Sequence, residues 1–578
     1  MSGRSRMRRT KAGIAGLAVV ATTGSLASCA TSDPLREVTL GYAVDAPITT
    51  YNANTVTGAL SAGPAIFGRV LTGLSYPGPE GAPLEDRDFG TIEQIAGEAF
   101  TFQVTIRDEA VFSDGEPITC DDLVLAWAAG SGRFTVDDPD SEETRPLFDA
   151  ASDWGFADVE NVACEPGTKQ ARVELRAGRP FTDWRALFSA TTVMPSHVAG
   201  RAADVPDIVG AVASEDLDAL GRLAEFWNTG WTLEPGALDL SLYPSSGPYM
   251  IESFSEENGL ILERNPQWWG EPPRTPRIAV WTGREIRDAV ARDDAHVVDV
   301  GAGSVAGLDL GGFTEQLVPA LNIEQLIFNT RGIFGNVDAR RAFTACVPRQ
   351  RIADDIVAPV YEDSANLGER YGPVASSRVV PVGAAGYDFI AGPAQQAYLQ
   401  PDIEAARAFP ELDGARIRVG YTGPDRRREE IVSFLARTCS EAGIIVQNVS
   451  SPAFDPSEAM QAGEVDIVVG GSGGVQGPGG LRSAGAQLVT LHSRSPLNIG
   501  AFSFEALDGV IAELAITGQQ DARFERLAEA ERIMWGELPS VPLSVQPRVT
   551  AHDDVVVGVV PNGSKAGAGW NMDKWARE

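Results

Sequence analysis

Apolar and polar positions alternate along several short runs of the chain, and these predict strands. Thr101-Phe102-Gln103-Val104-Thr105-Ile106 and Ala171-Arg172-Val173-Glu174-Leu175 have the two-residue period of half-buried strands. Val38–Tyr42 reads as the first strand, and Glu324–Asn329, Arg416–Tyr421, Ile444–Val446 and Val465–Val469 as later ones. Helical spacing takes over elsewhere. Thr119-Cys120-Asp121-Asp122 opens a helix that Leu123, Val124, Ala126, Trp127 and Ala128 carry to Gly130. Thr119 can cap a free amide there, and the acids suit the positive helix end. An apolar helix is predicted over 58–72, an amphipathic one over 427–442 and a late one over 521–536. Residues 338–356 have helical spacing interrupted by Pro348, and Trp184, Leu187 and Phe188 form an apolar helix face. Two strands around a turn span 245–266 and end at Trp268-Trp269, before a stiff linker with Pro272, Pro273 and Pro276. The acidic stretch 131–160 reads as a surface loop or insertion and 358–400 as a long ordered loop. Val541–Val545 is a return strand. Strands alternating with helices beyond the linker predict a three-layer α/β lobe.

The N-terminus changes the picture. Residues 1–11 carry Arg4, Arg6, Arg8, Arg9 and Lys11 and no acid, and residues 12–28 are apolar or small. This is the pattern of an export signal, too short for the roughly 20 residues of a spanning helix. Leu26-Ala27-Ser28-Cys29 then resembles a bacterial lipobox, with Cys29 as the acylated residue. The chain is therefore expected to be exported and lipid-anchored on the outer face of the cell membrane. Removing the five basic residues of the signal leaves 42 basic against 79 acidic residues, a net charge of −37. Such a surface repels nucleic acid, so no nucleic-acid partner is expected. Cys120, Cys164, Cys346 and Cys439 remain in the mature body. An even number in an exported protein predicts disulfides, and three pairings are open. Proximity favours Cys120–Cys164 and Cys346–Cys439.

No catalytic constellation stands out. His197, His296, His492 and His552 are far apart and lack metal-ligand spacing, and no Gly-x-Ser-x-Gly elbow occurs. The chain is read as a binding protein, not an enzyme, with no catalytic residue, metal or cofactor. The run Gly470-Gly471-Ser472-Gly473-Gly474-Val475-Gln476-Gly477 follows a buried strand but lacks the closing Gly-Lys-Ser/Thr of a phosphate loop. Two readings stay open for it, a surface loop and a loop whose backbone approaches a ligand at the carboxyl end of a strand.

Several segments, in order, resemble the family 5 extracellular solute-binding proteins. These are Thr101–Asp108, then Phe112-Ser113-Asp114-Gly115-Glu116-Pro117-Ile118-Thr119; Ser246-Gly247-Pro248-Tyr249; Leu262-Glu263-Arg264-Asn265-Pro266 through Trp269; Phe328-Asn329-Thr330 with Val337–Phe343; Val541-Pro542-Leu543; and Trp570-Asn571-Met572. The resemblance implies an α/β, two-lobe, periplasmic-binding-protein-like fold of type II, peptide-binding subclass, with an extra subdomain in the first lobe. It implies a signal peptide at 1–28, a tether at 29–37, lobe 1 at 38–274, lobe 2 at 275–545 and a C-terminal return to lobe 1 at 546–578. It implies a monomer that captures a peptide or similar small polar solute by hinge closure and delivers it to an ABC permease and ATPase. Candidate cleft residues are Thr50, Tyr51 and Asn52 after the first strand, and Gly471, Ser472, Gly473 and Gln476 in the glycine run. In peptide-binding relatives that run carries an Asp for the peptide amino terminus. Here it has neither Asp nor aromatic residue, a departure from standard peptide recognition. The fold also resembles mycobacterial LpqW-type lipoproteins, which implies an alternative role as a regulator or scaffold of cell-envelope glycolipid synthesis.

Overall fold

The computed structural model describes residues 39–79, 83–98, 100–137, 144–283, 285–305, 307–361, 374–471 and 488–578. Cys29, the signal and the tether lie outside these residues. The strands of the two principal sheets are, in chain order, β1 (Thr39–Val44), β2 (Gly90–Gln94), β3 (Thr101–Ile106), β4 (Val159–Ala163), β5 (Gln170–Leu175), β6 (Tyr249–Ser255), β7 (Gly259–Arg264), β8 (Arg277–Thr282), β9 (Val297–Gly301), β10 (Phe313–Phe328), β11 (Arg416–Gly420), β12 (Ile445–Asn448), β13 (Ile467–Gly471) and β14 (Ser540–Asp553). Ten of them form one sheet in the order β6-β7-β8-β1-β9-β14-β10-β13-β11-β12.

The sheet has two halves. In the first, β1 runs parallel to β8 and β9, with the β6–β7 hairpin at the edge. In the second, β11 runs parallel to both β12 and β13. Two long antiparallel strands pass between them. The first part of β10, Phe313–Val318, pairs with Arg548–Asp553 of β14, and its last part, Glu324–Ile327, pairs with Ser540–Ser544. Their register shifts between Pro319 and Ile323 and again at Glu324/Gln325. Such irregularities bend a strand and sharpen its twist, which suits a passage from one half to the other. Because β8 and β9 flank β1, residues 277–301 belong to the first half of the sheet, and the passage between the halves lies on β10 and β14 and not at residue 275, where the proline-rich linker led us to expect it. Pro272, Pro273 and Pro276 instead mark the turn between β7 and β8.

The four-stranded sheet β2-β3-β5-β4 is the small subdomain of the first half. Its alternation buries Phe102, Val104 and Ile106 of β3 against Ala171 and Val173 of β5. Helix α1 (Cys120–Gly130) covers it. Thr119 and Asp122 form a reciprocal capping box at the helix start, and the second Asp122 oxygen accepts from the Ser196 amide at 2.8 Å. A disulfide joins Cys120 to Cys164 just past β4. The stretch 131–160, read from its acids as a surface loop, buries Phe134, Phe148, Trp154 and Phe156. Four large side chains in an acidic run follow no two- or 3.6-residue period, so the pattern hid a packed segment.

In the second half, helices α2 (Val337–Ala345) and α3 (Arg426–Ser440) pack on the sheet around Leu326, Phe328, Ile417, Val419 and Val469. A second disulfide, Cys346–Cys439, ties the end of α2 to α3. Helices α4 (Glu505–Ile516) and α5 (Gln520–Glu537) then lead back to β14.

Candidate functional site

A cavity of about 530 Å³ lies between the halves. Thr422 follows β11, Pro452–Ser457 follow β12, and Gly470-Gly471 end β13, so the cavity sits at the carboxyl ends of the parallel strands of the second half. Pro47, just after β1, faces it from the first half with Leu60 and Lys565. Ligands bind at this end of open α/β sheets because the loops there are free to diverge and leave a crevice. The wall is mixed. Leu60, Ile327, Phe454, Leu491, Leu497 and Ile499 give it apolar area, and Asn322, Gln325, Thr422 and Asn498 give it hydrogen-bonding groups. This composition suits a small solute with a few polar contacts.

The floor is an ionic network on the crossover strands. Glu324, fully buried on β10, accepts from Arg428 Nε at 2.9 Å and Gln546 Nε2 at 3.2 Å, and pairs also with Arg427. Burial pushes its carboxyl up, but the two guanidiniums outweigh that and bring it down to about 2. Arg427 and Arg428 occupy the first turn of α3, where the helix dipole disfavours cations. Glu324 and the capping Asp425, whose Oδ1 accepts from the Arg428 amide at 3.0 Å, offset this. Arg378 is held in the same way, donating from Nη1 to Glu531 at 2.9 Å and from Nη2 to the Ser540 carbonyl at 2.6 Å.

Gly471 lines the cavity, and a Cβ there would come within 2.0 Å of Asn322 Nδ2, so a side chain at 471 would have to displace the Asn322 amide. Ser472, Gly473 and Gln476 lie outside the described residues. Thr50, Tyr51 and Asn52 are not on the wall. Thr50 Oγ1 donates to the Trp231 carbonyl at 2.9 Å, Tyr51 Oη to the Pro244 carbonyl at 3.0 Å, and Asn52 Nδ2 to the Trp227 carbonyl at 2.9 Å. The Tyr51 ring also stacks edgewise on Phe67 and Tyr243. These three residues therefore lock the loop after β1 to the segment 227–244. Their placement after the first strand suggested a cleft, but polar side chains following a strand serve equally to satisfy the backbone of a neighbouring loop.

None of the four histidines lines the cavity. His296 Nδ1 accepts from the Gly41 amide at 2.8 Å, and burial lowers its pKa; His197 contacts Asp114 at 3.0 Å. Among the described residues no group of three or more His, Cys, Asp or Glu side chains could hold a metal ion. The residues that sequence reasoning missed are Arg428 and Lys565. Arg428 carried a signal, since three arginines at a helix start break a local electrostatic rule, and such breaks concentrate at functional sites. Lys565 carried none beyond being a lone cation in a small-residue tail.

Similarity to known proteins agrees with this geometry. Residues 93–480 match the model of the bacterial extracellular solute-binding proteins, family 5, and the chain belongs to that family. An uncharacterized lipoprotein of Mycobacterium tuberculosis is 37% identical, over 98% of this chain and 99% of its own. The oligopeptide-binding protein OppA of the same organism is 24% identical over 82% of this chain and 74% of its own. The probable monoacyl phosphatidylinositol tetramannoside-binding protein LpqW of M. tuberculosis is 26% identical over 37% of this chain and 27% of its own. Among solved structures, the periplasmic EDTA-binding protein EppA superposes with a TM-score of 0.72 at 18% identity, covering 93% of this chain and 96% of that one. The oligopeptide-binding protein AppA of Bacillus subtilis, in complex with a nonapeptide, gives 0.71 at 14% identity, covering 93% and 99%. At these identities the structural likeness is one of fold, and the fold is the type II periplasmic-binding-protein arrangement.

Proposed function

We propose that this protein is an exported, lipid-anchored receptor that captures a peptide or similar small polar solute between its halves and delivers it to an ABC importer. The observation that carries the reading is the mixed polar and apolar cavity at the carboxyl ends of the parallel strands, between halves joined by β10 and β14. Binding there with closure of the halves would shield the solute from water. The lipobox at Cys29 and the relative named as a lipoprotein support the anchor. Two disulfides suit an oxidising compartment outside the cytoplasm. The family and the fold are those of binding proteins, which supports a receptor over an enzyme.

Native mass spectrometry of the purified protein, with small-molecule mass spectrometry after mild denaturation, tests the reading. A peptide or other small solute should co-purify. Added back at a hundred times its Kd, it should stabilise the fold by about 2.7 kcal/mol, seen as a saturable rise in Tm. An empty protein that no member of a broad peptide library stabilises would remove the receptor reading, and a pull-down of membrane partners would then test the scaffold role.

A further inference from the structure

Alternate side chains of β10 and β13 point to opposite faces of the sheet. Leu326 and Phe328 of β10 and Ile467 of β13 go to the face that α2 and α3 cover. Ile327 and Val468, which pair directly, go to the other face and join Met460, Phe454 and Ile499 in a small apolar cluster. Ile327, Phe454 and Ile499 stay partly exposed there, and they line the cavity. From the first half Leu60 lines the same cavity and is 43% exposed. None of these four residues belongs to the glycine run.

The segments that carry them are held before any ligand arrives. The Phe454 carbonyl accepts from Thr422 Oγ1 at 2.9 Å, and a Cβ on Gly420 would come within 2.4 Å of the Phe454 ring, so the ring lies against bare backbone. Beside Ile499, the Gly500 carbonyl accepts from the Thr330 amide and from Thr330 Oγ1, both at 2.8 Å. In the turn before Leu60, the Gly58 amide donates to Thr55 Oγ1 at 3.0 Å and the Gly58 carbonyl accepts from Ser61 Oγ at 2.7 Å. This is the preorganisation a recognition surface needs.

Neighbouring polar side chains of the wall are spent on the protein itself. Thr422 serves Phe454. Asn498 Nδ2 donates to the Phe502 carbonyl at 2.5 Å, and its Oδ1 accepts from the Phe502 amide at 3.1 Å. Arg378 and Arg428 answer the buried carboxylates of Glu531 and Glu324. A polar group placed against this part of the wall would lose hydration with little in return. A hydrocarbon group would instead release the water that wets the apolar side chains.

We propose that the captured solute carries an apolar side chain or a comparable hydrocarbon group, and that Leu60 of the first half and Ile327, Phe454 and Ile499 of the second close around it. This rests on the receptor reading and names the chemistry the receptor selects. Because the four residues come from both halves, the hydrocarbon group is covered fully only when the halves meet.

The experiment uses the full chain in lipid nanodiscs, since detergent monomers would compete for an apolar site. The probes are tri- to pentapeptides in which each position in turn carries leucine, phenylalanine, serine or glutamate, and affinities come from calorimetry. At one position or more, leucine or phenylalanine should bind at least about tenfold more tightly than serine. Leu60→Ser and Phe454→Ala should each cut that preference to about threefold or less. Melting curves of both variants establish that they are folded. If wild-type protein binds all versions alike, or either variant keeps the full preference, the apolar subsite is wrong while the receptor reading stands. A co-purified solute without a hydrocarbon group would have the same meaning. If no peptide binds saturably and no solute co-purifies, both fall together.

Discussion

At the scale of the residue, Glu324 is the most consequential side chain of the cavity floor. It is a fully buried carboxylate on the strand that crosses between the halves, balanced by Arg427 and Arg428 from α3 and by Gln546 from the other crossing strand. Removing one member of a buried ionic group leaves the rest uncompensated, so Glu324→Gln should cost about 3–5 kcal/mol at neutral pH. The carboxyl is held at about 2, below its ordinary 4.5. A depressed folded pKa contributes stability that is present above the unfolded value and is lost as pH falls towards the folded one. Urea unfolding of wild type and Glu324→Gln at pH 7, 4 and 3 should therefore show the gap between them shrinking below about pH 4.5. A gap that is constant with pH would show that the lost contacts, not the charge, set the cost. The floor was not read from the sequence. Arg426-Arg427-Arg428 stand together at a helix start, but the acid that answers two of them lies about a hundred positions away on a strand, and no local pattern joins them.

At the scale of the element, helix α1 was legible almost to its ends. Thr119 and Asp122 are spaced for a capping box, and the structure has it. Thr119→Ala should lower stability by about 1 kcal/mol, measured as a lower urea midpoint with an unchanged slope. A changed slope would mean that the subdomain unfolds separately from the rest. Strands β10 and β14 were recognised over only part of their length. Glu324–Asn329 and Val541–Val545 stood out, whereas the structure extends them to Phe313–Phe328 and Ser540–Asp553. Their outer parts carry prolines, Pro319 and Pro547, which argue against a strand locally. These prolines pair opposite one another at the register shift, where the ladder is already interrupted.

At the scale of the whole molecule, the halves also touch on the far side of the small subdomain. The Thr182 amide donates to the Ala515 carbonyl at 3.2 Å, and Arg523 on α5 donates to Thr182 Oγ1 at 3.0 Å and lies 3.6 Å from Asp183. Leu497 packs against Ala59 and Ala151 across the same divide. If the solute binds best when the halves meet, these contacts bias the molecule toward the competent state, and apparent affinity scales with its population. Arg523→Ala removes charge-assisted hydrogen bonds worth about 1.5–3 kcal/mol. It should weaken binding of a co-purified solute roughly tenfold and raise the ligand-free radius of gyration in small-angle scattering, with each half still folded. Unchanged affinity and radius would show that the contact does not bias closure.

Sequence alone determined the class of fold, most of the strands and longer helices, and the family, because these rest on local periodicity, capping and ordered short motifs; the pairing of the cysteines, left open by the sequence, was decided by the structure. Tertiary structure decided which residues face the cleft. Thr50, Tyr51 and Asn52 turned inward to satisfy a neighbouring loop's backbone, while Arg428 and Lys565, far apart in the sequence, came to line the same cavity. Charge balance and hydrogen-bond satisfaction are settled among residues brought together through space, and a linear pattern carries no record of those meetings.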